Sequence, residues 1–183
     1  RPQQNERVIE LSLILVGVMG SGKSSIWQLI SPLIHLPQQD LDDLIIKKAG
    51  KPIPQIFDEV GEAGFRQLET QVLESTIDDA AVISTGGGVI MQTINRHLLQ
   101  GALAPVVYLK TSFETILARI QNDDNRPLAT NITAMARLFN QRQSLYEEVA
   151  DIVVDTDAKS PAFISTEIMN QLASVSELRH SAM

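Results

Sequence analysis

An α/β fold built on a parallel sheet is predicted by two features of the chain: short apolar runs alternate with longer stretches of helical periodicity, and a glycine-rich turn joins the first run to the first helical stretch. The run Leu11-Ser12-Leu13-Ile14-Leu15-Val16 is strand-length and nearly continuously apolar, as a strand buried on both faces would be. Gly17 to Gly22 reads as loop and Lys23 to about Ser31 as helix, which Pro32 is expected to end or kink. Leu36 to Gln39 reads as a short strand leading into Asp40-Leu41-Asp42-Asp43. The next segment, Asp42 to Gly50, has acids at its start, lysines at its end and a glycine stop, which together predict a helix. A second helix is predicted from about Gly61 to Ile77, because Phe65, Leu68, Val72 and Leu73 share one face. Ala81–Ser84, Pro105–Leu109 and Ile152–Val154 are further strands, with helices over 93–100, 112–121, 132–150 and 161–174. The polar stretch from Gln121 to Pro127 is loop by composition.

The chain has 183 residues, which fits one domain spanning 1–183. A hydrophobic fraction of 44% with 20% charged residues is that of an ordinary globular protein, and no apolar run approaches the ~20 residues of a membrane span. With no cysteine, disulfides, thiol nucleophiles and zinc–thiolate sites are excluded. No apolar signal segment follows the Arg1-Pro2 start, so a cytoplasmic location is the expectation. The net charge of −7 argues against nucleic acid as a partner, which would need a cationic footprint. It does not argue against a phosphate ligand, which a few converging cations and backbone N–H groups can hold.

Gly17, Gly22, Lys23 and Ser24 meet the phosphate-loop pattern G-x-x-x-x-G-K-[ST]. Such a loop curls so that successive N–H groups, here of Gly20, Ser21, Gly22, Lys23, Ser24 and Ser25, point at phosphate oxygens. The lysine adds a charge for the β- and γ-phosphates, and the Ser24 hydroxyl is a Mg²⁺ ligand. A bare turn between strand and helix is the competing reading, and the strand–loop–helix context favours phosphate. Asp40 and Asp42, two apart at a strand end, face the same side. They suit a magnesium ion and a substrate hydroxyl, or one of them caps the following helix. Gly86-Gly87-Gly88 implies either positive φ or close approach of the backbone to a ligand or a neighbouring helix. Glu62, Arg66 and Glu69 share a helix face, a pattern that by itself usually means a solvated, salt-bridged surface. Arg126 and Arg142 carry no signal on their own.

Taken in order, the segments GVMGSGKS, DLD, IFDEVGEAGFRQLE, STGGG, NRPL, RQSLYEEVAD and DTDAKSP resemble the shikimate kinase family over about residues 10–165. The resemblance implies a three-layer α/β/α fold with a five-stranded parallel sheet, the P-loop, nucleoside monophosphate kinase-like fold. It implies a substrate-binding subdomain at about 41–70 and a lid at about 121–132. It further implies transfer of the γ-phosphoryl of ATP, with Mg²⁺, to the 3-hydroxyl of shikimate, on the route to chorismate and the aromatic amino acids. Carried over, Lys23 and Ser24 keep their phosphate and metal roles, and Asp40 is metal-associated. Asp42 contacts substrate hydroxyls and is the nearest candidate base. Arg66 and Arg142 hold the shikimate carboxylate, with Glu69 orienting Arg66, and Gly87 and Gly88 meet the substrate through their backbone. Arg126 reaches the transferring phosphates, and Arg119 with the loop from Asp155 to Pro161 lies by the adenine. A monomer is expected, with no nucleic acid or membrane partner. The chain departs from the family at Trp27, Ser25, Pro32, Gln38 and Ser144, none of which removes a proposed catalytic group. A different phosphate-loop metabolite kinase, for instance one acting on gluconate, and a non-catalytic binding protein are the alternatives.

Overall fold

A computed structural model describes residues 12–121 and 132–181. Its five strands are β1 (Leu13–Val16), β2 (Gln38–Asp40), β3 (Val82–Ser84), β4 (Val106–Lys110) and β5 (Ile152–Asp155), all parallel in the order β2-β3-β1-β4-β5. β1 is central, pairing Leu13 with Val82 on one side and Val16 with Tyr108 on the other. Every residue of β1 is buried because both sheet faces are covered. The expected fold class is therefore the one found.

The alternation along β1 divides the core into two layers. Ile14 and Val16 pack with side chains from α2 (Leu41–Ala49), α3 (Ile53–Thr76), α4 (Thr93–Gln100), α5 (Phe113–Gln121) and α6 (Ile132–Val149). Leu13 and Leu15 pack on the opposite face against α1 (Lys23–Ile34) and α7 (Pro161–Ser181), through Ile26, Ile30, Ile34, Ile164 and Ile168. Trp27 belongs to this second layer, and its indole N–H donates to the Val82 carbonyl at 2.9 Å. A half-buried indole donor is best satisfied by such a partner, and this bond ties α1 to β3.

Two expectations about helix ends need correction. Pro32 does not end α1, which continues to Ile34. Pro32 falls in the last turn, where its missing N–H costs one bond, and burial of Ile34 in the core holds that turn in place. The helix stops at His35, whose left-handed backbone sends its N–H to the Ser31 carbonyl. A helix does run from about Gly61 as expected, because Gly61, at φ 69° and ψ −178°, kinks α3 into two helical parts. The first part of α3 starts at Ile53-Pro54, a proline placement that favours a first turn. α7 also runs on past the expected end at 174. No helix among the described residues is long and apolar enough to cross a membrane. The expected lid, 121–132, falls outside the described residues except at its two ends, and so does Arg126.

Candidate active site

The carboxyl ends of the parallel strands open into a cleft of about 530 Å³ lined by Gly20, Ser21, Gly22, Lys23, Ser24 and Ser25, by Asp40 and Asp42, by Gly86 and Gly87, and by Arg119, Thr156 and Lys159. Ligand sites in open parallel sheets form at this edge, where the chain leaves β1 between strands that run off in opposite directions.

The loop after β1 is shaped by its glycines. Gly17 has φ 155°, and a Cβ there would lie 2.9 Å from Ser21 Oγ and 3.0 Å from the Leu109 carbonyl. No side chain fits, so the backbone can curl under the cleft. The α1 N-terminus carries no acidic residue in its first turn, which leaves the positive end of its dipole for an anion. Lys23 Nζ donates to the carbonyls of Gly17 at 2.5 Å and Val18 at 2.9 Å. Burial pulls the Lys23 ammonium down to about 8, against the opposing pull of Asp42 and Asp40. Ser21 Oγ is buried without a partner. Across the mouth, the Arg119 guanidinium donates to the Gly20 carbonyl.

Asp40 and Asp42 divide their work. Asp40 is the N-cap of α2, its Oδ1 accepting the Asp43 N–H at 3.1 Å, so the capping reading holds for this residue. It still lines the cleft, as does Asp42, whose Oδ1 lies 3.0 Å from the position a Gly86 Cβ would take. Burial, with the Asp40 charge next, raises the Asp42 carboxyl above the ordinary aspartate range, and Lys23 and Arg66 only partly counter it. For Mg²⁺ the donor chemistry fits: the exposed Ser24 hydroxyl and the Asp40 carboxylate share the cleft with Lys23. No group of three or more His, Cys, Asp or Glu that could hold a metal occurs among the described residues. An ion here would take its remaining oxygens from phosphate and water.

The three glycines have no positive φ; close approach is what they provide. A Cβ on Gly86 would meet the Asp42 carboxylate, one on Gly87 would lie 3.3 Å from the Met19 N, and one on Gly88 would lie 2.5 Å from Arg66 Nη2. The Arg66 Nη1 donates to Glu69 Oε1 at 2.9 Å. The Glu69 side chain is only 1% exposed and that of Arg66 13%, so the face shared by these residues is not the solvated surface its spacing suggested. Only Glu62, 75% exposed and 3.8 Å from Arg66, fits that picture. Burial raises the Glu69 carboxyl despite its bond to Arg66. Arg142, on α6, acts electrostatically on Glu69 and on Tyr146, as Arg66 does, so both arginines belong to one neighbourhood. Each has its Nε buried without a hydrogen-bond partner. Two buried guanidinium donors left without partners, on arginines that act on the same two residues, mark a place for an anion.

Sequence reasoning assigned no role to Tyr146 or Thr85. Thr85 Oγ1 donates to the Leu15 carbonyl at 2.8 Å and fixes the end of β3 against β1. Tyr146 is fully buried, stacks on Tyr108 with ring centroids 5.0 Å apart, and donates its hydroxyl proton to the Gly87 carbonyl. Its spacing of four from Arg142 on one helix is the only sequence signal that could have found it.

A family model described as Shikimate kinase matches residues 19–173. A shikimate kinase of Enterococcus faecalis is 41% identical over 165 residues, covering 88% of this chain and 98% of its own length. One from Pseudomonas paraeruginosa is 43% identical over 166 residues, covering 88% and 96%. Among solved structures, a shikimate kinase from Acinetobacter baumannii in complex with shikimate superposes with a TM-score of 0.79 at 36% identity, covering 89% of this chain and 93% of its own.

Proposed function

The chain belongs to the shikimate kinase family, and on that premise we propose that it transfers the γ-phosphoryl group of ATP to the 3-hydroxyl of shikimate, releasing shikimate 3-phosphate and ADP. One observation carries the reading. The backbone at Gly87 lies against Met19 of the phosphate loop, and the next residue, Gly88, lies against the Arg66 guanidinium. A group that grips a carboxylate thus stands one residue away from a loop built for phosphate, the spacing that a small acid accepting a phosphoryl group requires.

In this reading Lys23 and the N–H groups of Gly20 to Ser25 hold the phosphates, while Arg119 and the loop from Asp155 to Pro161 border the adenine. Arg126 reaches the transferring phosphates. Ser24 and Asp40 would hold Mg²⁺, which would supply positive charge to the transferring phosphates. Arg66 and Arg142 clamp the shikimate carboxylate, each able to offer a planar pair of donors. Their buried, unpartnered Nε atoms support this. The Gly87 and Gly88 backbone borders the substrate ring, and the segment 41–70 supplies Asp42, Arg66 and Glu69 as a substrate-binding subdomain. Asp42 accepts the hydrogen bond of the reacting hydroxyl and takes its proton, a role to which a carboxyl raised by burial is suited. Phosphoryl transfer asks for positioning and charge stabilisation more than covalent chemistry, and the groups named supply both. In this reading the working unit is a monomer.

A coupled assay of ADP release, run side by side with shikimate, gluconate and nucleoside monophosphates, tests the proposal. Turnover with shikimate alone is expected; a preference for gluconate or a nucleotide acceptor would overturn it.

A further inference from the structure

We infer that Tyr146 is a positioning residue for the acceptor half of the site: by fixing the Gly87 carbonyl, its hydroxyl sets the distance between the arginine pair and the phosphate loop. The inference rests on the functional reading above and deepens it.

The backbone hydrogen bonds of the glycine run show why a side-chain donor is needed there. The turn that follows, Val89–Met91, uses the Gly86 and Gly88 carbonyls as acceptors, from the N–H groups of Val89 at 3.2 Å and Met91 at 3.1 Å. The carbonyl between them, that of Gly87, takes the Tyr146 hydroxyl. A peptide unit is planar, so anchoring the Gly87 carbonyl also fixes where the Gly88 N–H points, on the opposite edge of the same plane. That N–H belongs to the residue lying against Arg66.

Tyr146 is itself held from below. Its ring stacks at an interplanar angle of 27° on Tyr108, a fully buried residue of β4 paired with Val16, the last residue of β1 before the phosphate loop. Arg142 lies one helical turn back on the same face of α6. Tyr146 thus links the sheet, the Arg142 helix and the glycine run, and through that run Arg66 and Met19. The packing would be met by a phenylalanine, since a buried hydroxyl gains nothing for the core and costs desolvation unless it is paired. Burial also pushes the phenol well above its usual range, so the hydroxyl stays a donor at every working pH.

The test compares the full chain with its Tyr146→Phe variant, which keeps the ring and its stacking. Steady-state kinetics are run with shikimate and ATP varied in turn, with thermal melting alongside. Loss of the anchoring bond is expected to raise the KM for shikimate about tenfold. The KM for ATP should stay within about twofold, and the melting midpoint should fall by no more than about 4 °C. A variant with wild-type KM for shikimate, or one in which both KM values rise together with a larger loss of stability, would overturn the inference. A second measurement places Tyr146→Phe in an Arg142→Ala background. Non-additive effects on the KM for shikimate are expected if Tyr146 acts by placing that arginine against its partner, and additive effects would also overturn it. Absence of shikimate turnover in the wild-type chain would instead sink the functional reading itself, so the two failures are told apart.

Discussion

Lys23 donates to the carbonyl of Gly17, six residues back, at 2.5 Å, so the loop's own backbone holds the ammonium at the floor of the cleft. Burial leaves that ammonium with a pKa of about 8 before any phosphate arrives. ATP needs the charged form, so kcat/KM for ATP should fall about tenfold per unit above about pH 8, while protonation of the raised Asp42 carboxyl sets a separate fall on the acid side. Trp27 is the only tryptophan and lies one turn beyond Lys23, so ATP-dependent quenching of its fluorescence across pH gives the alkaline fall by itself. The sign reverses for the fold. A lysine whose pKa is lowered on folding leaves the unfolded chain with more bound protons, so the ligand-free protein gains stability as pH rises from about 8 towards the unfolded value of 10.5.

Arg142→Ala should raise the KM for shikimate between about tenfold and a hundredfold, the loss of charge-assisted hydrogen bonds, with ATP quenching of Trp27 unchanged. Arg66→Ala should do the same and also destabilise the protein by about 3–5 kcal/mol, because Glu69 is left buried without its cation. Adding Glu69→Gln to Arg66→Ala should restore most of the stability and none of the affinity. Unchanged shikimate kinetics in both arginine variants would remove the clamp from the account.

Two glycine substitutions should separate the halves of the site. Gly88→Ala is free of backbone strain, since φ is −95°, but its Cβ would displace the Arg66 guanidinium. Its signature is a raised KM for shikimate with ATP binding kept. Gly17→Ala places a Cβ against Ser21 and the Leu109 carbonyl and should lose ATP binding. Isothermal titration with each ligand reads the two effects separately, and a Gly88→Ala enzyme that loses ATP instead would contradict the placement of Arg66.

Asp42→Asn should abolish most turnover while making the ligand-free protein more stable. The Asp42 carboxyl is raised by burial and by Asp40, meaning the folded state disfavours its charge, and a neutral amide of the same shape removes that penalty. A gain on the order of 2–4 °C in melting midpoint at neutral pH is expected, shrinking as pH falls and the wild-type carboxyl protonates. A loss of stability in Asp42→Asn would show that this carboxylate supports the fold.

The elements most legible in the chain were those with local signals. Leu11 to Val16 reads as a buried strand, found over Leu13–Val16, and the loop after it declares itself by glycine and lysine spacing. The α2 helix was bounded by its own acids, lysines and Gly50, which caps it at φ 71°. What stayed undecided depended on which side of an element faces inward. The spacing of Glu62, Arg66 and Glu69 fits a wet surface equally well, and only the packing of α3 against the sheet shows Glu69 turned in. The glycine run could have served turn geometry or close approach, and the choice rests on Met19 and Arg66, distant in sequence. Tyr146 was hidden for the same reason: a tyrosine on an apolar helix face reads as core until a carbonyl 59 residues earlier is found beneath its hydroxyl.

The strand order also has a bearing on how the chain is made. β1 lies in the middle of the sheet, yet it precedes the other four described strands in the chain, and its two neighbours, β3 and β4, follow only much later. A nascent chain halted before β4 would expose one bare edge of an apolar central strand, open to pairing with other chains. Shielding of that edge during synthesis, by the ribosome surface or by a chaperone, therefore matters more for this protein than for one whose sheet is laid down from one side to the other.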